Sequence, residues 1–255
     1  MHYEENGQGI PLLLIHGFPH DHTLWQPQLD GLQDVARVIA PDLRGFGIVE
    51  EVPHTMTMDD YAADIKALLD DLGIDKAVIG GLSMGGYVAL AFAANHPDRL
   101  LGLVLCNTRA VADNEQAREA RYATAQKALD EGLTAIAEGM LPKMISKRSE
   151  LAHPDLSMTV ENMMARQSPE AVAAAARGMA IRPDRTPMLG TIKVPVLVIT
   201  GSADTLIPPA ESEAMAARIA DSEVVVIPDV AHLSNSEDPE AFNAAVRHFL
   251  HRVKA

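Results

Sequence analysis

A serine with glycine on either side, Gly81-Leu82-Ser83-Met84-Gly85-Gly86, follows the apolar run Ala77-Val78-Ile79 and precedes a helical pattern from Tyr87 to Asn95. G-x-S-x-G in a strand, sharp turn, helix context lifts a serine hydroxyl above the end of a sheet, where it can attack a carbonyl carbon. The turn holds the serine in a strained backbone conformation, and the glycines leave room for it. The helix that follows offers free N–H groups and the positive end of its dipole to the negative charge that builds during acyl transfer. A serine hydroxyl is a poor nucleophile near neutral pH. The same chemistry therefore needs a base to accept its proton and a carboxylate to orient that base.

The chain order expected on such a scaffold is serine, acid, histidine. Of ten histidines, His232 sits in Val230-Ala231-His232-Leu233-Ser234, just after the last predicted strand, where a loop can deliver it to Ser83. His248 and His251 fall on a terminal amphipathic helix and read as surface residues, while His96 and His153 stand beside prolines at segment ends. For the acid, Asp204 closes Gly201-Ser202-Ala203-Asp204 after the run Val196 to Thr200. Read blandly, it is a turn aspartate beside a glycine. Asp229 is its rival, but it stands three residues from His232 and would have to share that short loop. Asp204 is therefore preferred. The oxyanion needs N–H donors. The backbone of Met84, directly after the serine, should supply one, and that of Phe18, in His16-Gly17-Phe18-Pro19, the other. His16, His20 and His22 have the look of a metal cluster, but no cysteine lies nearby and there is no H-E-x-x-H, so neither a metal nor another cofactor is expected.

These residues must be held by strands. Apolar runs of strand length recur at Leu12 to Ile15, Val35 to Ile39, Ala77 to Ile79, Leu103 to Leu105, Val196 to Ile199 and Val224 to Ile227. Continuous runs of this kind suit strands covered on both faces. Between the second and third, Tyr61, Ile65, Leu68, Leu69 and Leu72 recur at helical spacing, and Gly73 closes the helix. Repetition of the strand, helix, strand unit predicts an α/β protein whose mostly parallel sheet is flanked by helices, with chemistry at the carboxyl ends of its strands. From Val111 to Gly190 strand signals vanish in favour of alanine-rich helical stretches such as Asn114 to Glu131 and Pro169 to Ala180. About 80 residues are too many for a plain loop. The expected organisation is a core of residues 1–110 and 191–255 with an inserted helical cap at 111–190. Seven of the twelve methionines lie in that insert, at 140, 144, 158, 163, 164, 179 and 188. Flexible thioethers suit a pocket for varied apolar groups, although helical methionines more often fill gaps in a core.

With 47% hydrophobic residues the chain can bury a sizeable core. A net charge of −14 argues against nucleic acid and against an anionic membrane surface, since both are recognised through clustered Lys and Arg. No apolar run is long enough to span a bilayer. The acidic start, Met1-His2-Tyr3-Glu4-Glu5-Asn6, does not read as an export signal, and the lone Cys106 suits a reducing compartment. A cytoplasmic monomer or homodimer acting on a small molecule is expected.

Five motifs in order, His16-Gly17-Phe18-Pro19, Asp42-Leu43-Arg44-Gly45-Phe46-Gly47, Gly81-Leu82-Ser83-Met84-Gly85-Gly86, Gly201-Ser202-Ala203-Asp204 and Ala231-His232, resemble the α/β-hydrolase superfamily over nearly the whole chain. The combination is similar to the branch of carboxylesterases, aryl esterases and 3-oxoadipate enol-lactonases. That resemblance implies hydrolysis of an ester or lactone without a metal. Relatives often continue R-G-x-G with x-S, whereas here Ile48-Val49 follows Gly47. Serine instead of aspartate at position 83 argues against the haloalkane dehalogenase and epoxide hydrolase branches, which need a carboxylate nucleophile. A lactonase, a C–C bond hydrolase, a perhydrolase side activity and a slow-turnover ligand receptor are the alternatives to a carboxylesterase acting on small to medium, largely apolar substrates.

Overall fold

Alternation along each strand decides which side chains meet. In the computed structural model, which describes residues 1–48 and 51–253, Leu13, Ile15, Ile79, Leu103, Leu105, Val196 and Val198 pack into one apolar cluster. Their neighbours Leu12, Leu14, Val78, Val104, Leu197 and Ile199 pack into another on the opposite face. Successive side chains on a strand point to opposite sides, so an uninterrupted apolar run requires cover on both.

The strands are β1 (Tyr3–Asn6), β2 (Ile10–Ile15), β3 (Ala36–Pro41), β4 (Ala77–Leu82), β5 (Leu100–Cys106), β6 (Val196–Gly201) and β7 (Ser222–Ile227), arranged β1-β3-β2-β4-β5-β6-β7. Among the described residues only β1 runs antiparallel, pairing with β3 at the edge. The mostly parallel sheet flanked by helices is the fold class that the sequence predicts. Strand β1 is an addition to it, because Tyr3-Glu4-Glu5-Asn6 has no apolar run. Val49, in the departure that follows Gly47, lies outside the described residues.

Helix α1 (Gln26–Gly31) precedes β3, and α2 (Met58–Asp71) links β3 to β4. Thr57 and Asp60 cap α2 reciprocally, and Gly73 beyond its end takes φ +65°, a conformation that favours glycine. Helix α3 (Met84–Asn95) follows β4, and its residues from Met84 through Ala93 are all buried. Between β5 and β6 run α4 (Glu115–Glu131), α5 (Leu133–Met144), α6 (Lys147–Ala152), α7 (Pro154–Ala165) and α8 (Pro169–Ala180). Helix α9 (Pro209–Ala216) follows β6, and the short α10 (Ser234–Glu237) and α11 (Pro239–Leu250) follow β7. Among the described residues no helix is long and apolar enough to cross a membrane.

The chain proceeds from β2 to β3 on one side and then crosses to β4 on the other. A crevice opens at such a reversal, beyond the carboxyl ends of the strands. The loops after β2, β4, β5, β6 and β7 meet there.

Candidate active site

Ser83 stands between β4 and α3 with φ +56° and ψ −111°, a backbone conformation L residues rarely adopt. Close packing enforces it. A methyl group at Gly81 would lie 2.2 Å from the Gly85 backbone, and one at Gly85 would lie 2.2 Å from the Ile15 carbonyl oxygen. The Ser83 N–H donates to the Cys106 carbonyl at 2.8 Å, and the Thr108 hydroxyl donates to the Ser83 carbonyl at 2.8 Å. The elbow is thus clamped to β5 while Ser83 itself stays partly exposed.

The His232 ring places Nδ1 2.8 Å from Asp204 Oδ2. Both residues are buried, at 2% and 3% exposure. Asp204 also accepts from the Asn107 amide at 2.8 Å, and from the N–H groups of Leu206 and Ile207 at 2.9 and 3.0 Å. Burial alone would raise the pKa of this carboxyl. The His232 hydrogen bond and charge, with the Asn107 and Ile207 donors, outweigh burial and hold it below the usual carboxylate range. An ionised Asp204 keeps a proton on Nδ1 and leaves Nε2 to act as a base. The rival, Asp229, is exposed and pairs with Arg148 at 2.6 Å.

Ser83, His232 and Phe18 line one cavity of about 90 Å³, together with Tyr87, Arg109, Arg121, Met140, Met144, Met179, Leu206 and Ile207. Met84, the first residue of α3, is buried directly behind Ser83, where N–H groups at a helix start have no partner in the helix. Of the seven methionines between 111 and 190, Met140, Met144 and Met179 line this cavity; Met163 and Met164 fill the apolar core, Met188 packs at its edge, and Met158 is exposed. A larger groove of about 500 Å³, between α6, α7 and the β7–α10 loop, contains none of the five predicted site residues.

Sequence reasoning misses several contributors. Asn107, with φ +45°, joins Asp204 to the Ala231 carbonyl at 3.2 Å and accepts from the Ser234 hydroxyl at 2.6 Å. Its position directly after β5 was the available signal. Glu237 accepts from the N–H of Ala231 at 2.7 Å and from that of Ser146 at 2.9 Å, while the Met144 carbonyl accepts from the N–H groups of His232 and Leu233 at 3.1 Å each. These bonds fasten the histidine loop to the α5–α6 junction. Arg109 and Arg121 line the cavity and pair with Asp113, which Arg182 also contacts at 2.8 Å, and Arg109 pairs with Glu211 as well at 3.1 Å.

The trio His16, His20 and His22 does not assemble. His16 is buried, donating from Nδ1 to the Gly17 carbonyl at 2.8 Å and accepting the Leu43 N–H at 3.1 Å. His20 is buried with neither ring nitrogen hydrogen-bonded among the described residues, and burial, aided by His16 and His232, pushes its pKa down to about 3.

Asp21 and Asp113 share the behaviour of Asp204. Burial raises each pKa, but the Thr23, Arg166 and Gln167 hydrogen bonds at Asp21, and Arg121 and Arg182 at Asp113, bring it below the usual value. A group with a depressed folded pKa contributes stability that is complete above its unfolded pKa, about 3.9, and is lost as pH falls through the folded value. The thermal midpoint is therefore expected to drop steeply below about pH 4. Calorimetry between about pH 3 and 7 checks this, and Asp113→Asn should make the drop shallower. An equally steep drop in that variant would contradict the assignment.

The α/β hydrolase fold family matches residues 10–239. Among curated relatives, 3-oxoadipate enol-lactonase 2 of Acinetobacter baylyi is 32% identical over 230 residues, covering 90% of this chain and 84% of that protein. Among solved structures, a thermophilic esterase from Thermogutta terrifontis with malate bound has a TM-score of 0.97 and 46% identity, covering 100% of this chain and 94% of its own. The enol-lactonase of Burkholderia xenovorans LB400 has a TM-score of 0.91 and 31% identity, covering 98% and 96%.

Proposed function

Because the chain belongs to the α/β-hydrolase family, we propose that it is a serine hydrolase cleaving carboxylic esters through an acyl-enzyme, with Ser83 as nucleophile, His232 as base and Asp204 as its orienting acid. One observation carries this reading. A histidine hydrogen-bonded at 2.8 Å to a buried aspartate lines the same cavity as a serine held on a strained elbow. The hydroxyl proton passes to His232 Nε2 as the oxygen attacks the ester carbonyl. The N–H groups of Met84 and Phe18 receive the oxyanion. His232 then protonates the departing alkoxide, and water repeats the cycle to free the acid. The helices of residues 111–190 act as a cap, supplying Arg121, Met140, Met144 and Met179 to the cavity wall. A cavity of about 90 Å³ suits a short acyl group.

The malate bound by the Thermogutta terrifontis esterase and the similarity to enol-lactonases support a second substrate within the same mechanism, a lactone or ester carrying a carboxylate. Treatment with a fluorophosphonate followed by peptide mass spectrometry tests the nucleophile. One adduct on Ser83 is expected, and an adduct elsewhere, or none, overturns the reading. Steady-state rates on nitrophenyl acetate and on a half-ester of a dicarboxylic acid then separate the two substrates. Ligand binding with negligible turnover on both would indicate a receptor instead.

A further inference from the structure

We propose that His2, His22 and Asp42 form a site for one divalent transition-metal cation, of the zinc, cobalt or nickel kind, separate from the cavity that holds Ser83. The fold separates His22 from His16 and His20 as a ligand set and brings it to a residue ahead of β1 and to the residue that follows β3. His2 Nδ1 lies 2.8 Å from Asp42 Oδ2, and His22 Nδ1 lies 2.8 Å from Asp42 Oδ1. The rings meet edge to face with centroids 4.9 Å apart. One ligand atom from each residue can be chosen so that all three lie within 4.8 Å of one another.

Three features favour a cation here over a plain hydrogen-bonded cluster. The first is the donor set. Two imidazole nitrogens with one carboxylate suit zinc, cobalt and nickel, and three protein ligands leave room for water. Tetrahedral bonds of about 2.0–2.1 Å place ligand atoms about 3.3 Å apart, between the 2.8 Å contacts at the Asp42 oxygens and the 4.8 Å within which one ligand atom from each residue falls.

The second feature is preorganisation. The Asp42 N–H donates to the His2 carbonyl at 3.0 Å, and the His22 N–H donates to Asp42 Oδ1 at 2.8 Å. On the far side, Gly47 packs so closely that a methyl group there would stand 2.2 Å from Asp42 Oδ2. Backbone contacts thus settle where each ligand starts.

The third feature is charge and access. Asp21 and Asp113 are buried carboxylates with arginine partners. Asp42 is 3% exposed, and its ion-pair partners among the described residues are the two imidazoles. A bound cation places a fixed positive charge beside this buried carboxylate. The His2 and His22 side chains are 35% and 18% exposed, so the ion enters from solvent on the imidazole side. When Nδ1 of His2 binds the metal, its Nε2 lies 4.0 Å from the Glu4 carboxylate.

Titration of the chelator-treated full chain with zinc chloride in a calorimeter, and with cobalt chloride by visible absorbance, tests the site. One cation per chain is expected. His2→Ala and His22→Ala should each weaken binding at least about tenfold. A double variant of the exposed His54 and His153 should bind as the parent does. Asp42→Asn also disturbs the loop that His22 anchors, so the two histidine variants decide the matter. Absence of stoichiometric uptake, or uptake that survives both histidine changes, overturns the proposal. Ester hydrolysis is a separate readout and should be unchanged in His2→Ala.

Discussion

Ser83→Ala is expected to lower kcat on a short nitrophenyl ester by about 10⁵-fold without unfolding the protein. The hydroxyl is the atom that forms the acyl bond, and neither the imidazole nor the oxyanion donors can replace it. What remains is the modest acceleration that binding and N–H donors give to attack by water. Stability should change little. Serine and alanine both carry a Cβ, so the strain at φ +56° is common to them, and the clamps at the Ser83 N–H and carbonyl are backbone bonds that survive. Kinetics paired with a thermal melt checks both parts. A variant that keeps a tenth of the activity, with its melt unchanged, would remove Ser83 from the mechanism.

Asp204→Asn should lower kcat by about 10⁴-fold while Asp229→Asn leaves it within about twofold. Asp204 accepts from four donors and offers none: His232 Nδ1, the Asn107 amide, and the N–H groups of Leu206 and Ile207. An amide at 204 keeps one oxygen for the Leu206 and Ile207 donors and turns its NH₂ toward His232. The imidazole must then accept at Nδ1 and carry its proton on Nε2, the wrong tautomer for a base. Asp229 faces Arg148 at the surface, where one exposed ion pair is worth at most about 1 kcal/mol. Activity measured on the two variants separates the candidate acids. A large loss in Asp229→Asn with activity retained in Asp204→Asn would reverse the choice.

Features encoded by local pattern are legible without coordinates. The apolar runs of β2 to β7, the capped span of α2 and the serine elbow between glycines rest on signals within a few residues of each other, while the order of Ser83, Asp204 and His232 is an expectation that the scaffold supplies. Backbone geometry and side-chain alternation act at that range, so residue types alone reveal them. Strand β1 has no such signal, since Tyr3-Glu4-Glu5-Asn6 becomes a strand by pairing with β3 more than 30 residues away. Asn107 meets Asp204 across 97 residues, Glu237 meets Ser146 across 91, and His2 meets Asp42 across 40. Arg109 and Arg121 reach the cavity because β5 and α4 converge on it, and nothing in their neighbourhood along the chain announces that. Contacts of this kind arise when separate elements pack together. Their partners share no period, cap or turn, and the packed fold is the first place where their chemistry can be read.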